Sequence, residues 1–209
     1  MKSTFFALLY ISVLSFLPSG VSAGGPAPDQ LIDKLSGEVL EILHTNDSLR
    51  AGETTQVVGL VEQVVLPHFN FRRMTMLAVG RDWRDASPEQ QKRLMDAFYN
   101  MLVRTYSNAL TQYRDQTVQV RPVRMNPSDK IVKVQTEIRQ PGGQPVTVDY
   151  VLEQRADGWK IFDIVVTGVS LVTNYRGTFS QQIRLGGIDG LIRSLEAKGQ
   201  EFAPGPGQS

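Results

Sequence analysis

The chain has 209 residues, 41% of them hydrophobic, and its 22 basic and 21 acidic side chains leave a formal net charge of +1. That balance, whose surplus sits on Lys2 near the N-terminus, lacks the basic excess by which nucleic-acid binders are usually known. The absence of cysteine excludes disulfides, thiolate catalysis and Cys-ligated metal centres, and the length and composition suit one globular domain.

Lys2, an apolar run over residues 5–17 and the small residues Val21, Ser22 and Ala23 read as a secretory signal peptide, residues 1–23, cleaved after Ala23. The run is shorter than the ~20 residues a membrane span needs, and no cysteine follows it to carry a lipid anchor. Gly24 to Pro28 form a leader. A first helix is expected from about Asp29, with Leu31, Ile32, Leu35, Val39, Ile42 and Leu43 on one stripe. Residues 46–53 read as a polar connection. A second helix, residues 55–66, is apolar nearly all round, implying burial on several sides, and Pro67 ends it. A short third helix carries Phe71, Met74, Met76, Leu77 and Val79, with Arg72 and Arg73 on its other side.

Ser87, Pro88 and Gln90 form the clearest local signal: a capping serine, a proline for the first helical position and a glutamine to close the box. The helix they start should reach about Tyr113 with Leu94, Phe98, Met101, Leu102, Thr105, Ala109, Leu110 and Tyr113 buried. From Thr117 the period becomes two. Val118 and Val120 open one strand; Val132, Val134, Thr136 and Ile138 alternate with charged and polar residues in the next. Pro141-Gly142-Gly143 turns the chain into a third strand, with Val146, Val148, Tyr150 and Leu152 on one face and Thr147, Asp149 and Glu153 opposite. A fourth strand from Gly158 is apolar on both faces. Beyond it the period turns helical at Asn174, breaks at Gly186-Gly187, and resumes over residues 189–198. Residues 203–209 read as a Pro/Gly-rich disordered tail. Helices followed by a four-stranded antiparallel meander make an α+β pattern.

Catalytic chemistry is hard to assemble. His44 and His68 show no metal-ligand spacing, and Gly168-Val-Ser-Leu-Val172 lacks the last glycine of a nucleophile elbow. Asp163, inside an apolar strand, could act as acid or base beside Tyr150 or Tyr175, or could accept backbone N–H bonds where strand meets helix; the structural role is favoured.

Trp159-Lys-Ile-Phe-Asp163, Gly168-Val-Ser-Leu-Val172, Asn174-Tyr-Arg176, Phe179 and Gly186-Gly-Ile-Asp-Gly-Leu-Ile192 resemble the MlaC family, the toluene-tolerance auxiliary proteins. So do Leu66-Pro-His-Phe69 and residues 78–90, and the resemblance spans nearly the whole chain after the signal peptide, residues 24–202. The resemblance implies a soluble, monomeric periplasmic carrier of phospholipid that maintains outer-membrane lipid asymmetry. It implies no cofactor and no reaction on the lipid. Its partners would be an outer-membrane lipoprotein–porin complex and an inner-membrane MCE protein with its ABC transporter. The implied fold is NTF2-like, with helices packed on a curved four-stranded antiparallel sheet that encloses an apolar cavity. Candidate lipid-lining residues are Met74, Leu77, Leu102, Tyr106, Val132, Val134, Val148, Tyr150, Leu152, Val166 and Tyr175. Arg72, Arg73 and Arg176 are candidates for the phosphate, since guanidinium suits its geometry. Periodicity does not separate a hollow interior from a filled one, so an NTF2-like enzyme using Asp163 and a non-lipid adaptor stand as alternatives.

Overall fold

The computed structural model describes residues 25–50, 54–111 and 115–200. The expected signal peptide, the C-terminal tail and Tyr113 lie outside them. Helix α1, Pro28–Thr45, starts with a proline where a missing N–H costs nothing. Its Leu31, Ile32 and Leu35 pack on the sheet, and Leu43 joins Leu49, Val57 and Leu60 in a separate cluster. Part of the expected polar connection is instead a short helix, α2, Asp47–Arg50. Asn46 Oδ1 accepts the Leu49 N–H at 3.1 Å, and Leu49 is buried.

Helix α3, Thr54–Leu60, does not run evenly to Pro67. It widens into a π-helical turn, Val61–Val65, then tightens into a 3-10 turn, Leu66–His68. Its apolar circumference has a cause: α3 packs on α5 and the π turn touches α1. Helix α4, Phe71–Val79, is capped by Asn70, whose Oδ1 accepts the Arg73 N–H at 3.0 Å. It ends at Gly80, where φ is +77° and the Arg176 Nε would lie 3.2 Å from any added Cβ. The capping box of α5, Pro88–Thr111, is formed as expected: Ser87 Oγ accepts from Gln90 N at 3.2 Å and Gln90 Oε1 from Ser87 N at 3.0 Å. Leu94, Phe98, Met101 and Leu102 are buried; Val103 is buried too, whereas Thr105 is exposed.

The sheet corrects the expectation. It has five strands, β1 (Thr117–Val120), β2 (Ile131–Arg139), β3 (Val146–Arg155), β4 (Gly158–Val166) and β5 (Val169–Ser170), paired antiparallel in the order β1-β2-β3-β4-β5. Its first and last strands lie at opposite edges, so the sheet stays open and does not curl round to enclose a cavity. The four-stranded, curved, cavity-enclosing NTF2-like sheet is therefore not what this chain builds. The fifth strand arises because the chain turns sharply at Thr167, φ +46°, and Gly168, φ +85°, and pairs Val169 with Val166.

One sheet face, with Val132, Val134, Leu152, Trp159 and Ile161, lies under α1. Between β3 and β4 the register slips: Val151 faces Asp163 but Leu152 faces Ile161, which leaves Phe162 as the extra residue of a bulge. The bulge explains why β4 reads as apolar on both sides. Past it, Ile164 lies opposite Tyr150 and Val166 opposite Val148. Phe69 bridges Ile161 along the other edge of β4, with Asn70 N donating to Ile161 O at 2.8 Å. Helix α6, Leu171–Gln200, starts earlier than its periodicity suggests and is broken at Gly187, φ +66°. It runs along α5 and α4, closing a second, helical core around Phe98, Phe179, Leu191 and Ile192.

Candidate functional site

The strand-to-helix corner that carries Asp163 is a fold-holding device. Asp163 Oδ1 accepts the N–H groups of Ile164 at 2.9 Å and Val172 at 3.1 Å, and its Oδ2 accepts the Ser170 hydroxyl at 2.6 Å. Ser170 Oγ in turn accepts the Thr173 N–H at 3.0 Å. The carboxylate thus satisfies a donor at the start of α6, where negative charge is favoured. Asp163→Ala leaves that donor and Ser170 without their acceptor, and should cost ~2–4 kcal/mol in denaturant unfolding while Asp163→Asn costs about half as much. An alanine variant within 0.5 kcal/mol of wild type, on the ~1 kcal/mol scale of a single hydrogen bond, would contradict this role.

The interior that is not solid lies between α1, the π turn and the sheet. One lobe, about 270 Å³, is walled by Ile32, Leu35, Val39 and Leu43 of α1, Val118, Ile138 and Tyr150 of the sheet, and Val61, Val65, Phe69 and Ile164. A second lobe, about 290 Å³, is walled by Phe71 and Met74 of α4, Tyr99, Leu102, Val103 and Tyr106 of α5, Leu66, Leu171, and again Val61, Val65, Phe69 and Ile164. The four shared residues form a ridge between two lobes of one apolar hollow. They come from places the sequence pins down: Val61 and Val65 from the turn whose apolar residues go all round, Phe69 from the exit of that turn, and Ile164 from just past the β4 bulge.

Of the residues expected to line such a hollow, the structure brings Met74, Leu102, Tyr106 and Tyr150 to its walls. Val132, Val134 and Leu152 lie in the packed core beneath α1, and Val148 is buried in the sheet. Leu77 and Tyr175 pack on the helical core, and Val166 is exposed at the end of β4. Sequence reasoning missed the α1 stripe as a wall, along with Phe69, Phe71 and Ile164. The stripe itself was the available signal, since an amphipathic helix can face a void as readily as a core.

The arginines are placed elsewhere. Arg72 lies over the Trp83 ring at 5.7 Å, and Arg176 lies against Gly80. Arg73 pairs with Glu153 and sits 4.0 Å over the Phe162 ring. Glu153, read as lying on the face of β3 opposite its apolar residues, is buried; Asn70 Nδ2 donates to its other oxygen at 2.5 Å.

Polar character reaches the hollow mainly through tyrosine. Burial, then the hydroxyl of Tyr106 to which it is hydrogen-bonded, pushes the Tyr175 phenol well above its ordinary range. Burial, with the Glu62 carboxylate adding to it, pushes Tyr99 up to about 12. Among the described residues no three His, Asp or Glu side chains are grouped as a metal site requires, and no helix is long and apolar enough to cross a membrane.

A two-lobed apolar hollow, with nearby charges committed to holding the fold, defines a binder of apolar ligands. Residues 33–197 match the MlaC protein family, and the chain belongs to that family. It is 22% identical over 198 residues to the intermembrane phospholipid transport system binding protein MlaC of Haemophilus influenzae, covering 91% of each chain. It is 29% identical over 120 residues to a toluene tolerance protein of Pseudomonas putida, covering 57% of this chain and 55% of that one. Its fold matches that of the phospholipid-binding protein of Ralstonia solanacearum, solved in complex with a phospholipid, with a TM-score of 0.82 and 34% identity over 86% of this chain and all of that one.

Proposed function

We propose that this protein is a periplasmic phospholipid carrier that buries acyl chains in the two-lobed hollow and performs no reaction on the lipid. The hollow carries the reading: its walls are aliphatic and aromatic, and it divides at a ridge so that one tail can lie on either side. At ~0.8 kcal/mol per buried methylene, two chains supply ample driving force out of water, and affinity rests on the tails while the head group stays outside. The Ralstonia relative, solved with a phospholipid, supports the same reading.

In this reading residues 1–23 direct export and are removed after Ala23, and residues 24–202 form the carrier domain. The carrier exchanges lipid with an outer-membrane lipoprotein–porin complex on one side and an inner-membrane MCE protein with its ABC transporter on the other.

Native mass spectrometry of the exported chain, purified from periplasm without detergent, tests the reading. The expected result is a stoichiometric mass increment that extracts as phospholipid. A bare polypeptide mass, unchanged after incubation with phospholipid vesicles, would overturn it.

A further inference from the structure

The arginines that the hollow leaves aside gather round one turn. Past α4 the chain makes a 3-10 turn, Gly80–Arg84, whose Arg81 and Arg84 are exposed. Arg72, in the first turn of α4, lies 5.7 Å over the ring of Trp83, which is itself buried in the helical core. From α6 the exposed Arg176 reaches the same turn and lies against Gly80, its Nε 3.2 Å from where a Cβ would stand. Glycine both accepts the φ of +77° there and leaves the guanidinium its seat. Gln91 Nε2 fixes the turn to α5, donating to the carbonyls of Trp83 and Ala86, each at 3.2 Å.

Four guanidinium groups round one turn repel one another, and the fold does little to neutralise them. The turn and the residue after it offer two carboxylates, Asp82 and Asp85, and Arg81 reaches Asp82 only at 4.0 Å. Among the described residues Arg72, Arg84 and Arg176 make no ion pair, whereas Arg73, Arg93, Arg121 and Arg139 each have a glutamate. Arg72 and Arg176 are held instead by an indole and a glycine, which orient the guanidinium and leave its charge standing.

Positive charge held in this way suits an acidic protein surface better than a bilayer. Basic segments that bind membranes work with apolar side chains that enter the head-group layer, or with flexible clusters of lysine and arginine. Residues 71–85 and 171–184 contain no lysine, Trp83 is buried, and no large apolar side chain of α4 or the turn is exposed. A guanidinium already oriented loses little freedom on meeting a carboxylate, which it takes through two parallel N–H bonds. Arginine is also enriched in protein interfaces, where lysine is depleted.

We infer that the Gly80–Arg84 turn, with Arg72 and Arg176 held against it, is a docking surface for the acidic face of a partner protein with which the carrier exchanges lipid. The inference rests on the phospholipid-carrier reading. The lipid is not the occupant, since none of the four arginines lines either lobe.

The test measures association of the phospholipid-loaded carrier with the outer-membrane lipoprotein–porin complex and with the exported domain of the inner-membrane MCE protein, each immobilised, by surface plasmon resonance. Wild type is compared with the double variant Arg81→Gln, Arg84→Gln and with the fourfold variant that adds Arg72→Gln and Arg176→Gln. With at least one partner the fourfold variant should associate about tenfold more slowly at low ionic strength, and the difference should close in ~1 M salt, where the screening length is ~3 Å. The double variant should fall between. Its two positions are exposed, so it keeps the test valid should loss of the Arg72–Trp83 contact loosen the fold, which thermal unfolding reports. Phospholipid content, read by native mass spectrometry, should match wild type in both. Association equal to wild type with both partners, or a wild type that binds neither, would overturn the docking surface while leaving the carrier reading intact. So would arginine-dependent binding to phosphatidylglycerol vesicles with partner association unchanged. A wild type that carries no phospholipid and takes none from vesicles would overturn the carrier reading itself.

Discussion

Val65→Trp is expected to weaken phospholipid loading more than a hundredfold while leaving the protein folded. Val65 lines both lobes and is only half-buried, so an indole there projects into the empty volume at the ridge. Packing is not strained, because the added atoms enter space that no side chain occupies; they bury apolar surface that would otherwise face the void, and the melting temperature should hold or rise. The ligand suffers the loss. Denying about four methylenes their burial removes ~3 kcal/mol, more than a hundredfold in affinity. Native mass spectrometry after incubation with vesicles measures this directly, with circular dichroism and thermal unfolding as controls. A Val65→Trp protein that loads like wild type would mean that the ridge is not where the tails divide. A control at Val169, exposed on β5 and outside both linings, should load normally when changed to threonine.

How much of this was legible in the chain divides along one physical line. Features written in consecutive residues were readable: the Ser87–Gln90 box, the alternation of β2, the turn at Pro141-Gly142-Gly143 and the break near Gly187 all depend on local backbone chemistry. Features that depend on what lies across the fold were not. Thr105 and Val103 are both compatible with a helix, and only the neighbours of α5 decide that Val103 is the buried one. Glu153 alternates outward by the period-two rule, yet it is buried because Asn70 and Arg73 bring α4 against its carboxylate. The bulge at Phe162 left a sequence mark, the doubly apolar strand, but one slipped residue resets which face each later side chain takes. Ile164 therefore reaches the hollow, while Val166, on the same face two residues on, is exposed where the strand ends. The hollow itself was invisible, since a valine that faces a void and one that faces a core have the same periodicity. The length of the sheet was misjudged for a related reason: Val169–Ser170 become a strand only through the unusual backbone at Thr167 and Gly168.

The buried carboxylate of Glu153 leads to a large expected effect on both stability and binding. Glu153 accepts from Asn70 through one oxygen and pairs with Arg73 through the other, and the Arg73 guanidinium also covers the Phe162 ring. Its side chain is 7% exposed and that of Arg73 28%, so the pair is shielded on the carboxylate side and partly wet on the other. Removing one member of a buried pair strands the other, at ~3–5 kcal/mol for a fully buried case; the partial exposure of Arg73 lowers this to about 2–3 kcal/mol. For a chain of this size that is a fall in melting temperature of roughly 5–10 °C for Glu153→Ala. Arg73→Met with Glu153→Leu removes both charges at once and should recover much of the loss, because apolar side chains of similar volume often replace a buried pair at little cost. The consequence for binding follows from where the pair sits. Asn70 caps α4 and Arg73 stands in its first turn, next to Phe71 and Met74, two walls of the second lobe. Glu153→Ala should therefore weaken phospholipid retention as well as the fold, whereas the double apolar variant, which keeps α4 seated, should retain lipid more nearly as wild type does. Thermal unfolding of both variants with lipid-release rates decides the matter: if Glu153→Ala melts within 1–2 °C of wild type, roughly what 0.5 kcal/mol would produce, the pair is a surface ornament and α4 is held by its apolar face alone.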